Sequence, residues 1–149
     1  MRFLSAPNRQ FWVSLGGALS LSMVACTSNG ASSSPAAPQL AGTQWEVQSI
    51  GGQAVSGGKV PTLAFSASMD IGGHGGCNEY SGQVSLKGTA LTVGPVMATK
   101  MSCGPVQDRL ESAFLSALRN AKQVKVKDGL LELTGASEAP TVVFRQVKP

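Results

Sequence analysis

The fold is decided by residues 72–101, which read GGHGGCNEYSGQVSLKGTALTVGPVMATKM. The stretch begins with a glycine cluster around His74, where the backbone can curve tightly, and continues into Cys77. Apolar and polar residues then alternate in two runs separated by Lys87-Gly88, which is typical of two antiparallel strands joined by a turn. A second cysteine, Cys103, follows shortly after the stretch ends. We therefore expect a strand meander between two cysteines.

Shorter alternating runs on both sides of this stretch predict further strands. Met69 and Ile71 are expected to continue the strand of Leu63 and Phe65 up to the glycine cluster. Gly94-Pro95 is expected to end the preceding strand, and a further short strand is expected over residues 96–101. A last strand is predicted over residues 142–147. The alternating pairs are Trp45 and Val47, Leu63 and Phe65, Met69 and Ile71, Val124 and Val126, and Leu131 and Leu133, the last two pairs flanking a turn at Asp128-Gly129.

One helix is predicted directly after Cys103. Gly104 suits the cap, and Pro105 suits the first helical position, where its missing N–H costs nothing. Leu115 points roughly opposite the main apolar face, which predicts a helix clasped by a curved sheet. Strands before and after a single helix indicate an α+β fold with a mainly antiparallel sheet. The residues on the main apolar face are Val106, Leu110, Ala113, Phe114, Ala117, Leu118 and Ala121.

Residues 1–25 read as a lipoprotein signal peptide. Arg2 and Arg9 supply a positive start, and the following apolar run is short and interrupted by Ser and Gly. The run ends in Met23-Val24-Ala25-Cys26, which resembles the lipobox of bacterial lipoproteins, where the cysteine carries lipid and becomes the mature N-terminus. The alternative is an ordinary secretory signal that is cleaved elsewhere.

A lipidated Cys26 predicts both an address and an organisation of the chain. Residues 26–39 are rich in Ser, Ala and Pro and are expected to form a disordered linker, and residues 40–149 are expected to form one domain. Thr27 after the lipidated cysteine, by resemblance to Gram-negative sorting rules, predicts the outer membrane facing the periplasm. The alternative address is soluble, in the periplasm or secreted.

The charge of the chain argues against a nucleic-acid partner. The formal net charge is +4, with twelve basic and eight acidic residues. Arg2 and Arg9 lie in the predicted signal, so ten basic residues face eight acidic ones in the mature chain. Such a weak positive field gives no case for nucleic acid. We expect a monomer that meets the membrane through its N-terminal lipid.

The three cysteines make an odd count for an exported protein. If Cys26 carries lipid, Cys77 and Cys103 remain as a pair that can form a disulfide in an oxidising compartment. Zinc would need four ligands, and His74 with the two cysteines supplies three. A cysteine nucleophile would need a base, for which His74 is the single histidine. We expect the disulfide, no metal and no cofactor, with the metal and catalytic alternatives left open.

An ordered set of motifs resembles the META domains, which are the HslJ-like proteins of bacterial envelopes. The resemblance covers residues 40–147 and implies an antiparallel sheet curved around one helix as a partly open barrel. It also implies an envelope protein tied to heat shock or stress and, in one branch, to novobiocin tolerance. The motifs are Gly76-Cys77-Asn78 with Tyr80 and Gly82, Leu91, Ala98-Thr99-Lys100-Met101-Ser102-Cys103, and Glu111 with Phe114, Leu115 and Leu118.

Asn78, Tyr80 and Thr99 are candidates for a binding surface. Each also has an ordinary structural explanation, since Asn beside a turn often satisfies the local backbone and Tyr often packs at a strand edge. Two functions remain open. The protein is either a non-enzymatic lipoprotein that binds an envelope protein, a peptide or a lipid, or a hydrolase or redox enzyme that uses its cysteines. The sequence contains no Gly-Xaa-Ser-Xaa-Gly elbow and no phosphate loop, which favours the non-enzymatic prediction.

Overall fold

The computed structural model describes residues 37–137 and 140–148. This part of the chain forms nine strands and one helix, and all strand pairs are antiparallel. The elements are β1 (Gln44–Ile50), β2 (Gln53–Ala54), β3 (Thr62–Phe65), β4 (Asp70–His74), β5 (Glu79–Lys87), β6 (Ala90–Ala98), α1 (Pro105–Asn120), β7 (Gln123–Lys127), β8 (Leu130–Thr134) and β9 (Pro140–Val147).

The sheet closes on itself into a ring. Its strand order is β2-β1-β3-β4-β5-β6-β7-β8-β9, and β1 also pairs with β9. The weakest join lies between β6 and β7, which share the single residue pair Ala90 and Gln123. The predicted α+β fold, with a mainly antiparallel curved sheet around one helix, is therefore confirmed.

The interior of the ring is filled by side chains of α1 and of the surrounding strands. Phe114 is fully buried, and its ring meets those of Tyr80 and Phe144 edge-on at centroid distances of 5.5 and 6.2 Å. Leu115, on the other side of the helix, is also buried, as a helix clasped by the sheet requires. The largest fully buried side chains are Trp45, Phe114, Phe144, Leu40, Leu63 and Leu118.

Two residues that the helical spacing predicts to be buried are exposed. Val106 is 71% exposed, and Ala113 is exposed as well. Val106 lies in the first turn of α1, where it borders a surface groove beside Cys103 and is not covered by a strand. Helical spacing correctly identified the face, but it did not show where along the helix the sheet stops.

The predicted break at Gly94-Pro95 is wrong, because β6 runs without interruption through both residues. A register shift in the β5–β6 pairing, between Gly82 and Val84, lies opposite this point. Proline is tolerated at bulges and in edge strands, where no ladder hydrogen bond depends on its missing N–H. The separate strand over residues 96–101 is therefore the second half of β6, which ends at Ala98.

The prediction that Met69 and Ile71 continue β3 is also wrong. Met69 lies in a turn with a φ of 64°, and Ile71 belongs to the separate strand β4. The backbone N–H of Asp70 donates to Ser66 Oγ at 3.0 Å, which holds the turn. Part of the glycine cluster is also strand, because Gly72 and Gly73 belong to β4. A Cβ at Gly73 would collide with the carbonyl oxygen of Thr62. Here the glycine allows two backbones to approach closely.

The remaining predicted strands are confirmed. Trp45 and Val47 are buried in β1, and β7 and β8 form a hairpin around Asp128-Gly129. Within that hairpin Val124, Leu131 and Leu133 are buried, whereas Val126 is 43% exposed.

Candidate functional site

Cys77 and Cys103 form a disulfide bond, which confirms the predicted pairing. Their Cα atoms lie 5.7 Å apart. Cys77 is buried in the connection between β4 and β5, and Cys103 is exposed just before α1. The bond thus attaches the start of the helix to the glycine-rich connection. Because both sulfur atoms are used in the bond, neither cysteine supplies a thiolate nucleophile in this state.

Asn78 is buried next to the disulfide, and its side-chain amide is fully used. Its Oδ1 accepts hydrogen bonds from Thr99 Oγ1 at 2.9 Å and from the Met101 N–H at 2.7 Å. Its Nδ2 donates to the Met101 carbonyl at 3.0 Å and to Glu111 Oε1 at 2.7 Å. The structure therefore brings Asn78 and Thr99 together. The buried Asn78 side chain stabilises the fold through its hydrogen bonds.

Glu111 joins the helix to the same connection. Its Oε2 accepts the backbone N–H of Cys77 at 3.0 Å and also that of Asn78. A Cβ at Gly75 would lie 3.0 Å from Glu111 Cγ, so a glycine leaves room for the side chain at this point. We call Cys77, Asn78, Thr99, Met101 and Glu111 the Asn78–Glu111 cluster. A carboxylate that accepts several N–H groups makes charge-assisted hydrogen bonds, which stabilise the connection.

Tyr80, the third candidate, lies inside the barrel. Its hydroxyl donates to the Thr62 carbonyl at 2.7 Å, and burial raises the pKa of the phenol well above its ordinary value. A neutral, buried hydroxyl with a backbone partner acts as a packing group. Of the three candidates, Thr99 is the one with an exposed side chain.

One surface groove, of about 560 Å³, lies beside the disulfide and the first turn of α1. His74 borders it, but His74 Nδ1 already accepts the N–H of Gly76 at 3.0 Å. Gln107 donates to the carbonyls of Lys59 and Gly76 at 2.7 and 2.9 Å, which fixes the groove wall. The polar groups here mainly hold the glycine connection in place.

A second groove, of about 400 Å³, lies between β6 and α1. We call it the β6–α1 groove. It is lined by apolar residues and by two basic and two acidic side chains, and it lies beyond the part of β6 that pairs with β7. Its lining includes Val96, Ala98, Lys100, Met101, Leu115 and Arg119.

No group of three His, Cys, Asp or Glu side chains within residues 37–137 and 140–148 is placed to hold a metal ion. In the same part of the chain, no helix is both long enough and apolar enough to cross a membrane. Cys26, the predicted signal over residues 1–25 and most of the predicted linker over residues 26–39 lie outside the described residues.

These features define a class of protein: a small antiparallel barrel that encloses one helix, whose start is fastened by a disulfide and by a polar cluster around the buried Asn78. The META domain family model matches residues 38–148. The chain belongs to the META domain family.

Three relatives agree with this assignment. The chain is 30% identical to "Heat shock protein HslJ" of Escherichia coli (strain K12) over 126 residues, which cover 83% of this chain and 89% of that protein. A solution NMR structure of a protein from Burkholderia xenovorans is 26% identical, with a TM-score of 0.60, and covers 74% of this chain and 85% of its own. Another NMR structure is 27% identical, with a TM-score of 0.59, over 72% of this chain and 91% of its own.

The role of Glu111 could not be read from the sequence pattern. Glu111 lies 33 residues from Asn78 in the chain. In the sequence it stands out only as a residue of the META motif. The available signal was a carboxylate on the helix that follows a glycine-rich connection, where the absence of a side chain at Gly75 leaves room for Glu111. The β6–α1 groove was also missed, because a strand break was predicted at Gly94-Pro95, which lies within β6.

Proposed function

We propose that this protein is a lipid-anchored, non-enzymatic binding protein of the bacterial cell envelope with a role in heat shock or stress, including drug tolerance. It is anchored through Cys26 in the outer membrane, facing the periplasm, and acts as a monomer that binds another envelope protein. The similarity to a heat shock protein over most of both chains supports the stress role.

One observation carries the non-enzymatic part of the proposal: the side chains best suited to act as nucleophile, acid or base are engaged in bonds within the protein. The two domain cysteines are bonded to each other, Asn78 and Glu111 bond to each other, and Tyr80 bonds to the Thr62 carbonyl. A catalytic group needs a free nucleophile or proton acceptor within reach of a substrate. Residues so occupied serve the fold and leave the surface to do the binding.

The binding surface lies outside the barrel, because its interior is filled. Phe114, Phe144 and Trp45 are at most 2% exposed, so the enclosed space is occupied by side chains. Exposed apolar residues are found instead at Met97 and Met101, which are 72% and 63% exposed. Methionine suits adaptable protein contacts, since its side chain is flexible and polarisable.

Comparison of wild type with Cys26→Ala tests the anchor and the stress role together. Each would be expressed in a bacterial strain that lacks its own copy, and the cells would be fractionated and challenged with heat and with novobiocin. We expect wild type to be membrane-bound and protective, and Cys26→Ala to be soluble or unprocessed and unprotective, because the acyl chains are lost. Equal palmitate labelling of both proteins would contradict the anchor.

A thiol assay tests the enzymatic alternative. We expect no alkylatable thiol at Cys77 or Cys103 in protein taken directly from the envelope. Two free thiols in that sample would contradict the structural role and favour a hydrolase or redox enzyme that uses cysteine.

A further inference from the structure

The outer edge of β6 is unpaired over most of its length. Ala90 pairs with Gln123 of β7, but from Thr92 to Ala98 the described pairing of β6 is with β5 alone. The chain leaves β6 for α1 and returns to the sheet only at β7. The two strands therefore separate, and the β6–α1 groove lies at this free edge.

The free edge offers specific hydrogen-bonding groups. Thr99 N–H donates to the Glu79 carbonyl at 3.0 Å, on the β5 side. Hydrogen-bonding groups alternate in direction along an antiparallel strand, so Val96 and Ala98 present their N–H and C=O groups to the other side. An unpaired strand edge of this kind is the template for adding an extended segment.

The side chains around the edge fit a ligand that is apolar and acidic. The half-buried Val96 and Ala98 and the exposed Met101 supply apolar contact beside the strand. Lys100 and Arg119 are exposed, and among the described residues neither has a carboxylate within ion-pair distance. The groove therefore has two basic groups that a ligand can pair.

The acidic residues of the groove are already occupied. Asp108 accepts Ser102 Oγ at 2.6 Å and the Cys103 N–H at 2.9 Å, and it lies in the first turn of α1, whose dipole favours a negative charge. Glu111 accepts the N–H groups of Cys77 and Asn78. The side-chain charges of the groove that have no partner among the described residues are therefore those of Lys100 and Arg119.

We propose that the β6–α1 groove binds an extended, acidic peptide segment of a partner protein, which pairs with β6 at Val96 and Ala98 and brings a carboxylate to Lys100 and Arg119. This inference rests on the proposed binding function and names its site and partner class. Backbone pairing supplies the affinity, while the apolar contacts and the two cations select the sequence.

Charge favours such a peptide over a second copy of this chain. A second copy presents the same Lys100 and Arg119 beside its own β6 edge, and the nearby carboxylates are already hydrogen-bonded within each copy. The register shift at Gly94-Pro95 also limits the regular edge to the residues that follow Pro95. A short acidic segment needs only the residues after Pro95.

Selection of random displayed peptides on the full chain, purified in detergent, tests the proposal. We expect enrichment of peptides in which apolar residues alternate and Asp or Glu is present. In fluorescence anisotropy, Lys100→Glu combined with Arg119→Glu is expected to weaken their binding roughly tenfold or more. The matched control, Lys125→Glu combined with Lys127→Glu, makes the same charge change on exposed β7 residues and should bind as wild type.

A backbone variant gives a second, independent measurement. Ala98→Pro removes an N–H that faces the free edge and leaves the Thr99 bond to β5 in place, so folded Ala98→Pro should also lose peptide binding. Failure to enrich acidic extended peptides, or equal binding to the double charge reversal, would overturn the proposal. Self-association that Ala98→Pro abolishes would overturn it in favour of a second copy. Since the selection uses purified protein, these results are distinguishable from loss of the envelope address or the stress phenotype.

Discussion

The two flanks of the helix differ in how they are held. On the closed side, a disulfide and the Asn78–Glu111 cluster fasten the start of α1 to the β4–β5 connection. On the open side, β6 beyond Leu91 pairs only with β5 within the described part of the chain, and its last residues border the β6–α1 groove. The polar contacts of the closed side stabilise the fold. The open side, whose groove shares Thr99, Met101 and Glu111 with the cluster, is where we propose that a partner binds.

The largest effect is expected where both sides share one core. Phe114→Ala should lower the free energy of unfolding by about 3–5 kcal/mol, because a fully buried aromatic ring leaves a cavity. Urea denaturation measures this change. Val106→Ala is the control on the same helix and should stay within about 0.5 kcal/mol, since Val106 is 71% exposed. Equal effects of the two changes would show that the helix is not clasped by the sheet.

The disulfide should carry the next largest share of stability on the closed side. Its cysteines are 26 residues apart, so loss of the bond is expected to cost roughly 3–4 kcal/mol on the chain-entropy model. Cys77→Ser and Cys103→Ser should have similar effects in thermal unfolding. The double variant should lose little more, because either change breaks the same bond. Additive losses would mean that the cysteines act separately.

The half-buried carboxylate of Glu111 should contribute somewhat less. Glu111→Ala leaves the N–H groups of Cys77 and Asn78 without their acceptor, which we expect to cost roughly 2–3 kcal/mol in urea denaturation. Glu79→Ala is the matched control, since Glu79 is an exposed carboxylate on β5. If Glu111→Ala lowers the free energy of unfolding no more than Glu79→Ala does, the cluster does not stabilise the closed side.

The smallest expected effect lies at the junction of the two sides. Hydrogen bonds from Ser102 and then from the Cys103 N–H hold the pKa of Asp108 below its ordinary value of 3.8. A lowered carboxyl pKa adds stability that is present above the unfolded value and is lost as the pH falls through the folded value. NMR titration should find a midpoint below 3.8, and Ser102→Ala should move it upward. An unchanged midpoint in Ser102→Ala would exclude that hydrogen bond as the main cause.

Much of the fold could be predicted because it depends on short-range patterns. Alternation identified Trp45 and Val47 as buried, and helical spacing placed Phe114 in the core. The pattern failed at Gly94-Pro95, where two residues that usually end a strand lie within β6, opposite a register shift. A glycine or proline in the sequence does not show whether the strand that contains it has a neighbouring strand on its other edge.

The candidate site was predicted less completely, because its contacts join distant parts of the chain. The cysteine count was enough to predict the bond between Cys77 and Cys103. Asn78 was considered both as a binding residue and as a local turn residue, and the contacts that bury it come from Met101 and Glu111. Such side-chain to backbone contacts have no periodicity, so they become visible only in three dimensions.

Hydrogen exchange of individual backbone amides tests the contrast between the two sides most directly. The Asn78 amide donates to Glu111, while the Ala98 amide faces the open edge. We expect the Asn78 amide to exchange only by openings close in free energy to global unfolding, and the Ala98 amide to exchange by small local openings. Equal protection of both amides in the peptide-free protein would contradict the account, because β6 would then have no free edge.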